Sequence, residues 1–197
     1  MSTSAPKSTR DAILEAAMRL VASRGPRVSL EDVADEAGIS RQTLYVHFGS
    51  RAGLFIAMAE YMDTSEQLQP LLQRVFAAPT ALDALDAVAE VHAQYHPVAY
   101  PVARVFLAGR YDDEALRRTW DERMSSRRLL YRDVVARLHD EGLLGARWDV
   151  ETATDIIWAL TSWQMWEALV VERGWSKADY LRHLRTVLRQ TLVVPRT

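Results

Sequence analysis

The stretch SLEDVADEAGISRQTLYVHF, residues 29–48, constrains this chain more than any other: it sets Gly38-Ile39-Ser40 between two short segments of helical apolar spacing. Gly38 can take the left-handed conformation that ends a helix without steric cost. Ser40 is a good N-cap for the helix that follows. Ala34 is small enough for that helix to cross closely over the first. Val33, Ile39, Leu44 and Phe48 supply an apolar inner surface, and Leu44 and Phe48 share one face. Gln42, Thr43, Tyr45 and Val46 then point outward. Two helices joined this way fit the helix-turn-helix geometry, whose second helix enters a DNA major groove. There an arginine can pair with guanine, a glutamine with adenine, and an apolar group can touch the thymine methyl. The alternative is a polar connecting helix on a solvated surface.

The rest of the chain also reads as helix, which predicts an all-α protein of about nine helices. Ser8 with Asp11 and Ser29 with Asp32 have capping-box spacing. The first opens a helix through Ile13, Ala17, Leu20 and Val21 to the stop at Gly25-Pro26. Ser50 caps a longer helix through Leu54, Phe55, Met58 and Met62. Thr80 with Asp83 opens one that the sequence ends at Pro97, and Tyr100-Pro101 and Gly109 bracket a short element. Leu116 through Leu138 predicts a long helix ending at Gly142. Asp149 starts a helix to about Gly174, and Ser176 with Asp179 opens the last. Alternating strand patterns are absent apart from short runs such as Leu192–Val194. This layout divides into a small N-terminal unit at residues 1–50, which holds the helix-turn-helix, and a larger helical domain at 51–197.

No cysteine is present, which excludes disulfides and thiolate metal sites and suits a reducing cytoplasm. The polar start MSTSAPKSTR lacks the apolar core of a signal peptide, and no apolar run approaches the ~18 residues that span a bilayer. The expectation is a cytoplasmic protein with no membrane partner. Net charge is −2, but residues 1–51 carry seven Lys/Arg against six acids. Four of those acids fall in one segment, leaving Lys7, Arg10, Arg41 and Arg51 to form a local basic surface.

Residues 29–55, SLEDVADEAGISRQTLYVHFGSRAGLF, resemble the helix-turn-helix of TetR-type transcriptional regulators. The matching features are Val33-Ala34, Ala37-Gly38-Ile39-Ser40, Leu44-Tyr45-Val46-His47-Phe48 and the basic Arg51, with a preceding helix, RDAILEAAMRLVASRG, that also fits. The resemblance implies that Ser40, Arg41, Gln42, Thr43 and Tyr45 face bases and nearby phosphates. It implies backbone contacts from Tyr45, His47, Arg51, Thr9 and Arg10, with Ser29 at the start of the first motif helix. His47 has the alternative of a helix-end residue satisfied by a carbonyl. Two residues depart from the family pattern. Arg51 stands where lysine is usual, and Gln42 stands where glycine is frequent, so a reading side chain occupies a position that often has none.

One recognition helix reads only a few base pairs, so such a regulator needs a second copy. Read as one helix, Asp149–Arg173 is apolar on both faces, with Ala153, Ile156, Leu160, Trp163 and Val171 on one side. Trp158, Ser162, Met165 and Leu169 lie on the other, with Trp166 at its edge. That second face, joined by Tyr180, Leu184, Val187 and Leu188, is the expected homodimer interface. Burial within one chain is the alternative.

The larger domain exceeds what dimerisation requires, and six Trp, seven Tyr and six Met could line a ligand cavity. Candidates for a small, largely apolar effector are Met62, His92, Tyr95, Tyr100, Phe106, Trp120, Met124 and Trp163, with Gln164 and Glu167 as polar handles. Ordinary core packing is the alternative for each. His92 and His96 lie four apart, but no third ligand is near, and no metal or cofactor is expected. The resemblance implies a repressor in which effector binding changes the separation of the two recognition helices. No catalytic motif is present. The alternatives are an effector-independent architectural protein or an enzyme built in the helical bundle.

Overall fold

The structure, a computed structural model, describes residues 8–194. Lys7, placed by sequence in the basic surface, lies outside the described residues. The architecture is all-α, as expected, and the described chain divides into two compact units. One holds the chain through Thr64 together with Ala99–Trp120; the other holds Ser65–Val98 and the chain from Asp121 onward. Among the described residues no helix is long and apolar enough to cross a membrane.

The first unit opens with α1 (Thr9–Arg24), where Ser8 Oγ accepts from the Asp11 amide and donates to its carboxylate. Ile13, Leu14, Ala17, Leu20 and Val21 bury one face of α1, and Gly25-Pro26 ends it in a single tight turn. Helix α2 (Leu30–Ala37) starts from a complete capping box, since Asp32 accepts from the Ser29 amide while Ser29 Oγ accepts from the Asp32 amide. Gly38 takes the left-handed conformation, φ 66°, that the turn requires. Helix α3 (Arg41–Phe48) follows, capped by Ser40, and α4 (Arg51–Asp63) is capped by Ser50. Val33, Ala34, Leu44, Phe48, Leu54, Phe55 and Met58 are buried together with the inner face of α1. Burying a side chain of this kind stabilises by roughly 1.5–3 kcal/mol, so α3 is held by its inner residues and free on its outer ones.

The second unit contains α5 (Gln69–Phe76), a short helix with Pro70 in its first turn that the sequence does not signal. Helix α6 runs unbroken from Ala81 to Gly109, and α7 from Glu114 to Asp140. The expected stop at Pro97 is therefore a correction: α6 passes through both Pro97 and Pro101. Each proline removes one backbone hydrogen bond, but Ala93, Ala99, Val102 and Ala103 are buried along it, and packing outweighs the local preference. The Glu141 carboxylate caps the start of α6, accepting from the Ala81 amide at 2.9 and 3.1 Å.

The single helix expected from Asp149 is also corrected. Helix α8 (Val150–Leu160) stops at Thr161, and Ser162 caps the new α9 (Trp163–Trp166), accepting from the Met165 amide at 3.2 Å. A serine hydroxyl that competes for backbone amides restarts the helix here, and faces drawn on one continuous wheel no longer hold across the break. A π-helical turn, Glu167–Glu172, continues from α9. Helix α10 (Lys177–Leu192) is fixed to α6 by Arg189, whose Nε and Nη2 donate to Asp86 at 2.8 and 2.7 Å. Beyond α10, Val193 forms an isolated antiparallel bridge with Leu144, which accounts for the strand-like run at the C-terminal end.

Candidate functional site

The outer face of α3 is the first site. Arg41, Gln42, Tyr45, Val46 and His47 are exposed, Val46 at 79%, while Leu44 is fully buried and Phe48 nearly so. An exposed apolar side chain amid these polar neighbours suits contact with a base methyl. Ser40 Oγ accepts from the Thr43 amide at 3.1 Å and lies 2.9 Å from Thr43 Oγ1, so these two residues set the first turn of α3 before any partner arrives. Arg41 Nη1 lies 3.5 Å from the Glu31 carboxylate, an exposed pair that a phosphate can displace.

The flanking candidates are built into the scaffold. Arg10 packs its guanidinium 5.5 Å from the centre of the Phe48 ring and lies 3.9 Å from Glu60, linking α1 to the end of α3 and to α4. Thr9 is exposed at the start of α1, and Ser29 is engaged in the capping box. Hydrogen bonds from Ser29 hold the Asp32 carboxyl below its usual range, with the nearby Arg24 charge adding to the effect. Arg51 donates from Nε to the Val28 carbonyl at 3.1 Å and from Nη2 to the Pro26 carbonyl, with its guanidinium 4.6 Å from the Phe55 ring centre. Sequence reasoning missed Gly53. A Cβ there would sit 2.1 Å from the Phe48 carbonyl oxygen, so only glycine lets α4 begin this close to the end of α3. A glycine in the first turn of an otherwise apolar helix was the available signal.

The second site is a buried polar cluster inside the second unit. His92 Nδ1 and His96 Nε2 are 2.7 Å apart, and Tyr131 Oη lies 2.7 Å from His92 Nε2. Thr161 Oγ1 donates to the Ile157 carbonyl at 2.7 Å and lies 3.0 Å from Tyr131 Oη, and Arg127 donates to Tyr131 Oη and to Thr161. Trp163 stacks on His96 at 4.0 Å between ring centres, Trp166 meets it edge-on at 5.6 Å, and Tyr180 meets Trp166 at 4.9 Å. Burial holds both imidazoles well below the ordinary histidine range, and the Arg127 charge adds to the effect. Burial also pushes the Tyr180 hydroxyl far above its ordinary value. The histidine pair is therefore neutral at physiological pH.

Comparison with known proteins decides the nature of the first site. Residues 13–58 match the family model described as bacterial regulatory proteins, tetR family. The family likeness lies in this N-terminal region. The region is 52% identical over 46 residues to the HTH-type transcriptional regulator AlkX of Mycobacterium tuberculosis, a match that covers 23% of this chain and 22% of that protein. The chain thus aligns with about a fifth of this curated relative's length. Solved structures extend the likeness in fold across the chain. A candidate TetR-family regulator from Rhodococcus sp. is 24% identical, covering 92% of this chain and 97% of its own, with a TM-score of 0.76. A candidate regulator from Saccharomonospora viridis in complex with choline is 19% identical, covering 94% and 98%, with a TM-score of 0.81. NalD of Pseudomonas aeruginosa, the secondary repressor of the MexAB-OprM multidrug efflux pump, is 24% identical, covering 96% and 98%, with a TM-score of 0.69.

Outside the TetR-type region the candidates separate. His92 and Trp163 come together through His96, and Phe106 stacks with Trp120 at 6.4 Å in the other unit. Met62 and Tyr100 are buried in that unit, Tyr95, Met124 and Glu167 are half-buried, and Gln164 is exposed. The polar groups beside His92 are Tyr131, Thr161 and Arg127, which no sequence motif announces because they lie 30–39 residues from their partners. Among the described residues no group of three or more His, Asp or Glu could hold a metal. Of the proposed interface residues, Trp166, Tyr180, Leu184 and Leu188 are already buried by their own unit. Trp158 lies under Arg127 at 5.4 Å, Ser162 caps α9, Met165 and Leu169 are half-buried, and Val187 is 40% exposed.

Proposed function

We propose that the chain is a sequence-specific DNA-binding regulator acting as a homodimeric repressor, released from its operator by a small, largely apolar effector. The observation that carries this reading is α3, whose Leu44 and Phe48 are locked inward while Arg41, Gln42, Tyr45, Val46 and His47 stand outward. Arg41 and Gln42, near the helix start, supply the base contacts; Tyr45, His47, Thr9 and Arg10 supply backbone contacts. In this reading residues 1–50 bind DNA and residues 51–197 carry effector binding and dimerisation. The partner copy covers what the second unit leaves open, namely Trp158, Met165, Leu169 and Val187.

The effector reading is supported by the polar cluster around His92 and His96, since a core that needed only to be filled would not carry this hydrogen-bonded set among its aromatic rings. Helix α6 itself continues from His92 and His96 to Tyr100 and Phe106, a chain-continuous route by which a ligand would act on the DNA-binding region. NalD supplies a precedent for repression among similar folds. Selection from random-sequence duplex DNA tests the proposal. It predicts enrichment of a two-fold symmetric site with half-sites spaced by about one helical turn or a related interval. An empty selection would overturn it.

A further inference from the structure

A directed hydrogen-bond chain runs through the second unit from Arg127 to His96. Tyr131 Oη accepts from Arg127 Nε, and Thr161 Oγ1, whose own hydrogen goes to the Ile157 carbonyl at 2.7 Å, lies 3.0 Å from it. The Arg127 charge turns the Tyr131 hydrogen toward His92 Nε2, 2.7 Å away. A neutral imidazole that accepts at Nε2 carries its proton on Nδ1. His92 Nδ1–H therefore donates to His96 Nε2 at 2.7 Å, and the same count leaves the His96 proton on Nδ1. The fixed guanidinium charge selects this direction, because each O–H and N–H dipole then turns its positive end away from Arg127.

The chain ends on a donor with nothing to receive it. Among the described residues His96 Nδ1 is buried without a hydrogen-bond partner, and so are Trp163 Nε1 and Tyr180 Oη. These three residues belong to one ring cluster, joined through the His96–Trp163, His96–Trp166 and Trp166–Tyr180 contacts. Buried donors are rarely left unpaired without a reason. Arg127 adds an uncompensated charge, since among the described residues its hydrogen bonds go to Tyr131 and Thr161 and to no carboxylate.

We propose that this cluster binds the carboxylate of a small organic acid, with its oxygens accepting from His96 Nδ1, Trp163 Nε1 and Tyr180 Oη and its flat apolar body against Trp163 and Trp166. This rests on the effector reading above and names the class of the effector. A quaternary ammonium would be drawn to the same ring faces, but it offers no acceptor and is repelled by Arg127.

Two measurements on the full chain test it. Long-range proton–nitrogen NMR of the protein labelled at histidine should find His92 and His96 neutral with the proton on Nδ1 at pH 7.5; a proton on Nε2 of His96 overturns the proposal. Titration with 2-naphthoate, 2-naphthamide and (2-naphthylmethyl)trimethylammonium should move the Trp163 indole signal with the carboxylate, at least tenfold more tightly than with either other probe. Arg127→Gln should abolish that preference and Arg127→Lys should keep most of it. Equal binding, preference for the ammonium, or no response to any probe overturns the proposal, as does a water signal at His96 Nδ1–H that no probe displaces. Operator binding by the unliganded protein is scored separately, so failure here leaves the regulator reading standing unless operator binding also fails.

Discussion

Arg51 Nε donates to the backbone carbonyl of Val28 at 3.1 Å, fastening the first residue of α4 to the turn ahead of α2. The family resemblance assigns this position to a phosphate contact, and the geometry gives it a positioning role besides, through the second bond to the Pro26 carbonyl. Arginine can hold two carbonyls with its fork of donors, whereas lysine is a point charge. Arg51→Lys should keep the salt dependence of DNA binding and lose about 1 kcal/mol of stability. Arg51→Ala should lose both, with the slope of log affinity against log salt falling by about one ion per protomer. Urea denaturation and a salt series separate the two roles.

Gly53→Ala should damage the recognition unit out of proportion to the change. The added methyl meets the Phe48 carbonyl oxygen, a backbone atom that cannot swing aside, at 2.1 Å. Overpacking of this kind costs typically 1–3 kcal/mol, and here it displaces the end of α3 itself. A lowered urea midpoint with at least a tenfold loss of operator affinity is expected; an unchanged affinity would mean that α3 does not depend on this approach.

Gln42→Ala should relax specificity more than it weakens binding. Its side chain is exposed on α3 and can pair with an adenine edge, a contact worth about 1–3 kcal/mol of discrimination. Affinity for the selected site should fall while affinity for scrambled DNA and the salt slope stay unchanged. Equal losses on both DNAs would make Gln42 a backbone contact.

Stability should fall as pH drops below the ordinary histidine range. His92 and His96 are neutral in the fold, because burial holds them well below the ordinary histidine range. Above about pH 6.5 neither state binds the extra protons and their contribution is complete. Below it the unfolded chain takes up protons the fold refuses, so stability declines by up to about 1.4 kcal/mol per pH unit for each ring. Urea unfolding between pH 7.5 and 5.5 measures the slope, and His92→Asn should reduce it. A flat profile would mean that the rings are not sealed from protonation.

Much of the fold was legible because it is written locally. Ser8, Ser29, Ser40, Ser50, Asp149 and Ser176 each accept from an amide three residues on, and each marks a helix start read from sequence. The outward set on α3 follows from Leu44 and Phe48 alone. What was not legible depends on distant residues. Pro97 reads as a stop and Pro101 as the edge of a separate short element, yet buried neighbours carry α6 through both. Thr161 and Ser162 sit in an apolar run that reads as continuous helix, yet Thr161 Oγ1 lies between the Ile157 carbonyl and Tyr131 Oη, and Ser162 Oγ takes the Met165 amide. The apolar stripe of α10 reads from sequence as part of a dimer interface, and Tyr180, Leu184 and Leu188 are already buried within the single chain.

Fluorescence anisotropy of the intact protein on labelled duplex DNA tests the central claim, that α3 reads a specific sequence. The DNA flanking its gene, or the site selected above, is compared with scrambled DNA of equal length over a salt series. Nanomolar binding that persists near physiological salt and exceeds the scrambled control by ~10³ is the predicted result. Binding that is weak, equal on both DNAs and lost as salt rises would contradict it.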